Sequence, residues 1–236
     1  MESKEFEITQ DVLKLLGNQM HGFYLLGGTA LSLCYFHHRE SYDLDFFTKD
    51  FSQKRIFEVI EYLKDKLKVR VKLAEQNLKE NYAKVMVYQI EFGDGMYCKI
   101  DFVEDFFPLL KPLTEFNHIN VASLEDIYLR KIYTVTGFKK SENAIGADVL
   151  IGGRQEAKDF YDLYCLSTIT MPLTSFVHQF GDATMKEGII AWFRSYNRME
   201  IKTALIDLKT TKPPDYREIE KHFQKQVDNL ISEEIL

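Results

Sequence analysis

The strongest constraint on how this chain folds lies in residues 25–47, LLGGTALSLCYFHHRESYDLDFF. There Asp43 and Asp45 stand one residue apart, between Leu44 and Phe46-Phe47, downstream of a Gly27-Gly28 pair. Carboxylates in an apolar strand are costly to bury unless something positive meets them. A bound metal ion would serve, and so would a lysine or an arginine. Strand alternation puts Asp43 and Asp45 on one face, their Cα atoms roughly 7 Å apart, with Leu44 and Phe46 turned to the core.

The rest of the composition narrows the setting. A chain of 236 residues with 45% hydrophobic and 14% aromatic content holds one large domain or two small ones around a substantial core. A formal net charge of −6 excludes a protein coated in basic surface, so any nucleic-acid contact must use a local patch. Cys34, Cys98 and Cys165 are odd in number and show no CxxC spacing, which points to buried free thiols rather than disulfides or zinc. The start, MESKEFEITQ, has no apolar stretch of a secretion signal. The longest nearly apolar run, Phe23 to Phe36, is too short to span a membrane and is broken by the glycine pair. These features predict a soluble, cytoplasmic protein without membrane contact.

Periodicity predicts a short helix over 9–17, a strand over 23–26, a helix over 29–37 that starts at the glycines, and a strand over 42–47. An amphipathic helix over 52–67 follows, with Ser52 as N-cap. Strands over 69–73 and 82–92 lead through the turn Gly93-Asp94-Gly95 into a strand over 97–103. After Pro108 and Pro112 the pattern turns helical, over 123–138, 154–168, 173–180, 183–197, 199–207 and 215–234. Residues 139–153 read as a loop or lid. The expected fold class is α+β: a mixed β-sheet with packed helices over 1–112, then a helical C-terminal domain over 113–236.

In the strand over 97–103, Lys99, Asp101 and Val103 take the face opposite Cys98, Ile100 and Phe102. If that strand neighbours the one bearing Asp43 and Asp45, Asp101 joins them, and three clustered carboxylates call for a divalent cation such as Mg²⁺. Gly27 and Gly28, at a strand-to-helix junction, leave bare backbone that a phosphate can approach, with Thr29 or Ser32 adding a hydroxyl. A polyphosphate there, with its metal on Asp43, Asp45 and Asp101, suits phosphoryl or nucleotidyl transfer, Asp101 doubling as a base. In the helical half, Lys131 falls inside the apolar stripe of Leu124, Ile127, Tyr128 and Val135, where it either snorkels to solvent or meets an anion such as a triphosphate. Arg154, Lys158 and Asp162 lie along one helix face at i, i+4 spacing, with Asp159 at its edge. Lys158 is a further nucleotide-binding candidate, set against an ion pair with Glu156 or Asp162. Basic residues outnumber acidic ones from Lys54 to Lys84, a stripe that suits RNA phosphates or is simply solvated.

GGTALSL followed by HRESYDLDFF, then KIDF, LEDIYLRKI and R-x-x-x-KDFYDLYCL, resembles the AbiEii/AbiGii toxin family. These are nucleotidyltransferases of the DNA polymerase β-like superfamily. The resemblance runs from about residue 20 to 168. It implies a nucleotidyltransferase-type sheet and Mg²⁺-dependent transfer of a nucleotide from an NTP. In the family's better-understood branches the acceptor is the 3′ end of tRNA, and a cognate antitoxin accompanies the toxin. It assigns metal binding to Asp43 and Asp45, and matches Lys131 and Asp159 to the family's lysine and aspartate in the helical half. It also matches Arg39 and Ser41 to the approach to the aspartate strand. One departure stands out: where family members run through a short turn, this chain inserts residues 139–153. Two other readings remain beside it, the same chemistry on a protein or small-molecule acceptor, and a non-catalytic nucleotide-binding module.

Overall fold

The computed structural model describes residues 2–142 and 148–232. The chain divides into two compact units, Met1–Ser123 and Leu124–Leu236.

In the first unit, helix α1 (Lys4–Leu16) starts five residues before its periodicity predicts. Ser3 explains the early start: its hydroxyl caps the helix by accepting from the Phe6 N–H at 3.3 Å, and Phe6 is buried. Strand β1 (Tyr24–Leu26) runs into α2 (Gly27–Ala30), which continues as a π-helical turn over Leu31–Phe36 and ends at His37 in the left-handed region. Strand β2 (Asp43–Thr48) and helix α3 (Gln53–Leu67) follow, Ser52 capping α3 through the Arg55 N–H as its sequence predicts. The strands β3 (Arg70–Asn77), β4 (Val85–Gly93) and β5 (Met96–Glu104) form an antiparallel meander, the last two joined by the expected glycine turn.

Two short strands were not legible in the sequence: β6 (Thr114–Phe116) and β7 (Ile119–Val121), joined through Asn117 and His118, both at positive φ. Three residues are too few to show alternation. The sheet has the order β3-β4-β5-β2-β1-β7-β6, with β2–β5 and β1–β7 parallel and the remaining pairs antiparallel. It is therefore mixed, as expected of an α+β fold. One face is packed under α1 and α3, and its centre is aromatic. Phe102 meets Phe23 at 5.3 Å and Phe46 at 6.2 Å between ring centroids, and all three are fully buried.

Among the described residues the second unit is mainly helical, with a hairpin after its first helix. Helix α4 (Leu124–Thr136) leads into β8 (Gly137–Glu142) and β9 (Asp148–Gly152), an antiparallel pair. The segment 139–153, read from sequence as a loop or lid, is thus largely strand. The run Val149-Leu150-Ile151 is short enough to be missed, and its partner strand precedes it across residues 143–147, which lie outside the described residues. Helices α5 (Ala157–Ile169), α6 (Leu173–Phe180), α7 (Ala183–Ser195), α8 (Arg198–Asp207) and α9 (Tyr216–Ser232) complete the unit. The predicted end of the last helix, 233–234, lies outside the described residues. Helix α5 is the central one: Phe160 packs against Trp192, Tyr196 and Phe223 at centroid distances of 5.8, 5.1 and 5.1 Å.

Phe102 joins three aromatic neighbours beneath the strand that carries Asp101, so its truncation opens a cavity the sheet cannot close. Phe102→Ala is expected to lower stability by about 3–5 kcal/mol, read as the loss in urea-unfolding free energy by far-ultraviolet circular dichroism. A loss below about 1 kcal/mol would show that this aromatic centre is not what holds the sheet.

Candidate active site

The turn between β1 and α2 needs glycine at its first position and is crowded at its second. Gly27 has φ of 84°, and a Cβ there would lie 2.6 Å from Asp45 Oδ2. At Gly28 the space is filled by the Arg39 guanidinium, with Ser41 Oγ 3.3 Å from where a Cβ would stand. Arg39 is buried, and its Nη1 donates to the Glu40 carbonyl at 2.8 Å. The two hydroxyls expected to face a phosphate are spent inside the fold. Thr29, fully buried, donates to the Asp43 carbonyl and lies 2.8 Å from Ser41 Oγ, while Ser32 donates to the Arg39 carbonyl at 2.5 Å. They fasten the glycine turn to the chain that enters β2.

Alternation along β2 is as predicted: Leu44 and Phe46 are fully buried, Asp43 and Asp45 half-buried on the opposite face. The parallel register with β5 sets Asp43 opposite Lys99 and Asp45 opposite Asp101. The structure thus brings the three aspartates to one face of adjacent strands. Lys99 Nζ lies 2.7 Å from Asp101 Oδ2, and Asp101 Oδ1 is buried with no hydrogen-bond partner. Burial pushes the Asp101 carboxyl above its ordinary range. Lys99 pulls it back, and the nearby charges of Asp43 and Glu75 push it up again. Among the described residues, no three His, Cys, Asp or Glu side chains converge closely enough to hold a metal ion.

Lys131, in the second unit, meets an anion rather than solvent. Its Nζ is 2.7 Å from Asp159 Oδ1 and 2.7 Å from Asp162 Oδ2, with all three side chains buried. Asp162, which its spacing placed on a face with Arg154 and Lys158, is instead wholly buried because α5 is covered on nearly every side. Arg154 Nε approaches Asp159 Oδ2 at 2.6 Å. Burial raises the Asp159 carboxyl, but Lys131 and Arg154 outweigh it and hold the group below its ordinary range. Lys158 pairs with Glu156 at 3.0 Å, the ion-pair alternative the sequence left open. The basic run after Lys54 is largely neutralised as well, with Lys64 on Glu61, Lys68 on Asp65, Lys72 on Glu91 and Lys84 on Glu104. Lys99 and Asp162 are the partners that sequence reasoning missed. Lys99 was visible beside Asp101 on its face, but its pairing depends on rotamers no pattern records.

Two outcomes follow. Gly27→Ala should cost about 1–2 kcal/mol from the left-handed backbone alone, measured by thermal unfolding, and an unchanged midpoint would overturn the need for glycine. Lys131→Met removes the buried cation that Asp159 and Asp162 share, leaving Asp159 to Arg154, and should lower stability by about 3–5 kcal/mol at neutral pH, with Trp192, the single tryptophan, reporting the helical unit. Because the Asp159 carboxyl is depressed in the folded state, its stabilisation is present above the unfolded value of about 3.9 and is lost as pH falls through the folded value. The penalty of the variant should therefore shrink in acid.

Comparison with known proteins bears on family and fold. The family model described as nucleotidyl transferase AbiEii toxin, type IV TA system, matches residues 15–235. A search of curated proteins finds no match. Among solved structures, JHP933 from Helicobacter pylori aligns over 99% of this chain and 97% of its own, with a TM-score of 0.60 and 15% identity. The nucleotidyltransferase toxin MenT4 from Mycobacterium tuberculosis aligns over 96% of this chain and 82% of its own, with a TM-score of 0.51 and 16% identity. At such identities the likeness is one of fold. No helix among the described residues is long and apolar enough to cross a membrane. With nearly the whole chain matched, the protein belongs to the AbiEii family of nucleotidyl transferase toxins of type IV toxin–antitoxin systems.

Proposed function

We propose that this toxin transfers a nucleotide from an NTP to an RNA acceptor, tRNA by the family resemblance, with Mg²⁺ held by Asp43, Asp45 and Asp101. The observation that carries this reading is the register of β2 against β5, which lines three carboxylates along one face beside a glycine turn. Their hard oxygens suit a magnesium ion, and Asp101 Oδ1, buried without a hydrogen-bond partner, is an acceptor that such an ion would satisfy. When bound, such an ion supplies charge neutralisation and Lewis-acid polarisation at the α-phosphate.

The chain's own residues do the rest. At the glycine turn, where Asp45 and Arg39 fill the space beside Gly27 and Gly28, the Arg39 guanidinium and the Ser41 hydroxyl are the groups offered to the phosphates. Thr29 holds that turn against β2, so triphosphate and carboxylates stay in fixed relation. Asp101, set by the strand register beside Asp45, takes the proton of the attacking acceptor hydroxyl as pyrophosphate departs. Lys131 and Asp159 keep the catalytic roles that the resemblance gives them, each also holding the other's charge in place. Lys158 is left out of the nucleotide site, its ammonium being taken up by Glu156. A cognate antitoxin, a separate polypeptide, completes the system that the family name describes, and the toxin works in the cytoplasm where its RNA acceptor lies.

The test is label transfer from each of the four α-labelled NTPs, with Mg²⁺, to total RNA and to total protein. Label should enter RNA, vanish on chelation, and fall at least ~100-fold in Asp45→Asn with the fold unchanged by circular dichroism. Label in protein would move the acceptor and keep the chemistry. NTP binding without any transfer would leave a nucleotide-binding module and overturn the enzymatic reading.

A further inference from the structure

The carboxylate face carries its own cation, and we propose that Lys99 is a displaceable counter-ion that occupies Asp101 until a divalent cation takes its place. The inference rests on the metal reading of Asp43, Asp45 and Asp101 above and adds to it a residue that regulates entry. Lys99 and Asp101 are two apart on β5 and so share a face, and the parallel register sets Lys99 directly opposite Asp43. Its ammonium lies 2.7 Å from Asp101 Oδ2 and feels Asp43 and Asp45 as well. Its positive charge thus pairs with Asp101 while lying within the field of the two neighbouring carboxylates. The next lysine along the same sheet row, Lys72, is engaged elsewhere, 2.7 Å from Glu91.

The pairing explains two features together. Lys99 reaches one oxygen of Asp101 and leaves Oδ1 buried without a partner, so it neutralises the carboxylate without satisfying it. With Lys99 in place, the three carboxylates need no convergence, in keeping with the lack of a closed metal-holding cluster among the described residues. Residue type matters here. An arginine would grip a carboxylate through two oxygens, whereas lysine is a point charge on a flexible stem that can swing aside. The Lys99 side chain is 31% exposed, which leaves it a path toward solvent or toward an incoming phosphate. A divalent cation brings twice the charge to the same oxygens, so the exchange favours it once its concentration suffices.

The experiment measures Mn²⁺ binding by titration calorimetry and electron paramagnetic resonance, without NTP, on the full chain. It compares wild type, Lys99→Met, Asp101→Asn and the double variant, with folding followed by circular dichroism. Lys99→Gln serves if the methionine variant folds poorly. Lys99→Met should bind Mn²⁺ roughly fivefold more tightly than wild type, the scale of a half-exposed ion pair removed from competition. In the Asp101→Asn background the same change should alter affinity by less than roughly twofold, because the competing partner is already gone. Equal tightening in both backgrounds would reduce Lys99 to a distant charge and overturn the proposal. Binding by wild type with no gain in Lys99→Met would overturn it too, while leaving the metal site standing. No Mn²⁺ binding by any of the four proteins would overturn the metal reading itself, and this inference with it.

Discussion

Charge that is brought out of water must be met by charge, and in this protein the demand arises twice. An unpaired ion in a protein interior costs several kcal/mol even after relaxation. The sheet gathers Asp43, Asp45 and Asp101 on one face, and the helical unit buries Asp159 and Asp162 on its central helix. Each answers with a lysine, but the answers differ in kind. Lys131 is enclosed and satisfies both of its aspartates at 2.7 Å, with Arg154 closing over the outer oxygen. Lys99 is partly exposed, touches one oxygen of Asp101, and leaves the other oxygen of that carboxylate without a partner. The first arrangement is built to stay as it is. The second is built to accept something more.

The glycine turn shows how closely the sheet site is tied to its supports. Gly27 and Gly28 are bare because Asp45 and the Arg39 guanidinium occupy the space where side chains would be. That proximity is maintained from both sides, by Thr29 on the Asp43 carbonyl and by Ser32 on the Arg39 carbonyl. The segment between them is held from outside by Glu40, whose carboxylate accepts from the Ser3 N–H at 2.9 Å and from the Tyr42 hydroxyl at 2.7 Å. The cap of α1 and the approach to β2 are therefore one connected structure, and the first residues of the chain help to position the aspartate strand.

How much of this the sequence discloses depends on whether the signal is local. Alternation placed Leu44, Phe46, Ile100 and Phe102 in the core and Asp43, Asp45 and Asp101 on the other face, because each strand carries its own period. The Ser52 cap and the turn at Gly93-Asp94-Gly95 were legible for the same reason. The parallel pairing of β2 with β5 was only a condition in the sequence, since nothing within either strand names its neighbour. Residues 139–153 read as a loop because neither strand of the hairpin is long enough to show a period before its partner is known. The partner of Asp162 was not legible for a related reason. Its helix is buried nearly all round, so a polar residue on it says nothing about solvent, and only Lys131 on another helix explains why a carboxylate is there.

The pairing of Lys131 with Asp159 bears on what a loss of activity can mean. The resemblance to the toxin family marks both residues as functional, and the structure makes each the other's counter-ion in a buried setting. Removing either one takes a charge out of a buried ion-pair network that Asp162 and Arg154 share, so the helical unit is weakened before any step of catalysis is reached. An inactive variant at either position therefore identifies a catalytic group only if the variant remains folded. Asp43 and Asp45 carry less of this ambiguity, being half-buried rather than enclosed. That partial exposure makes them the cleaner probes of the reaction.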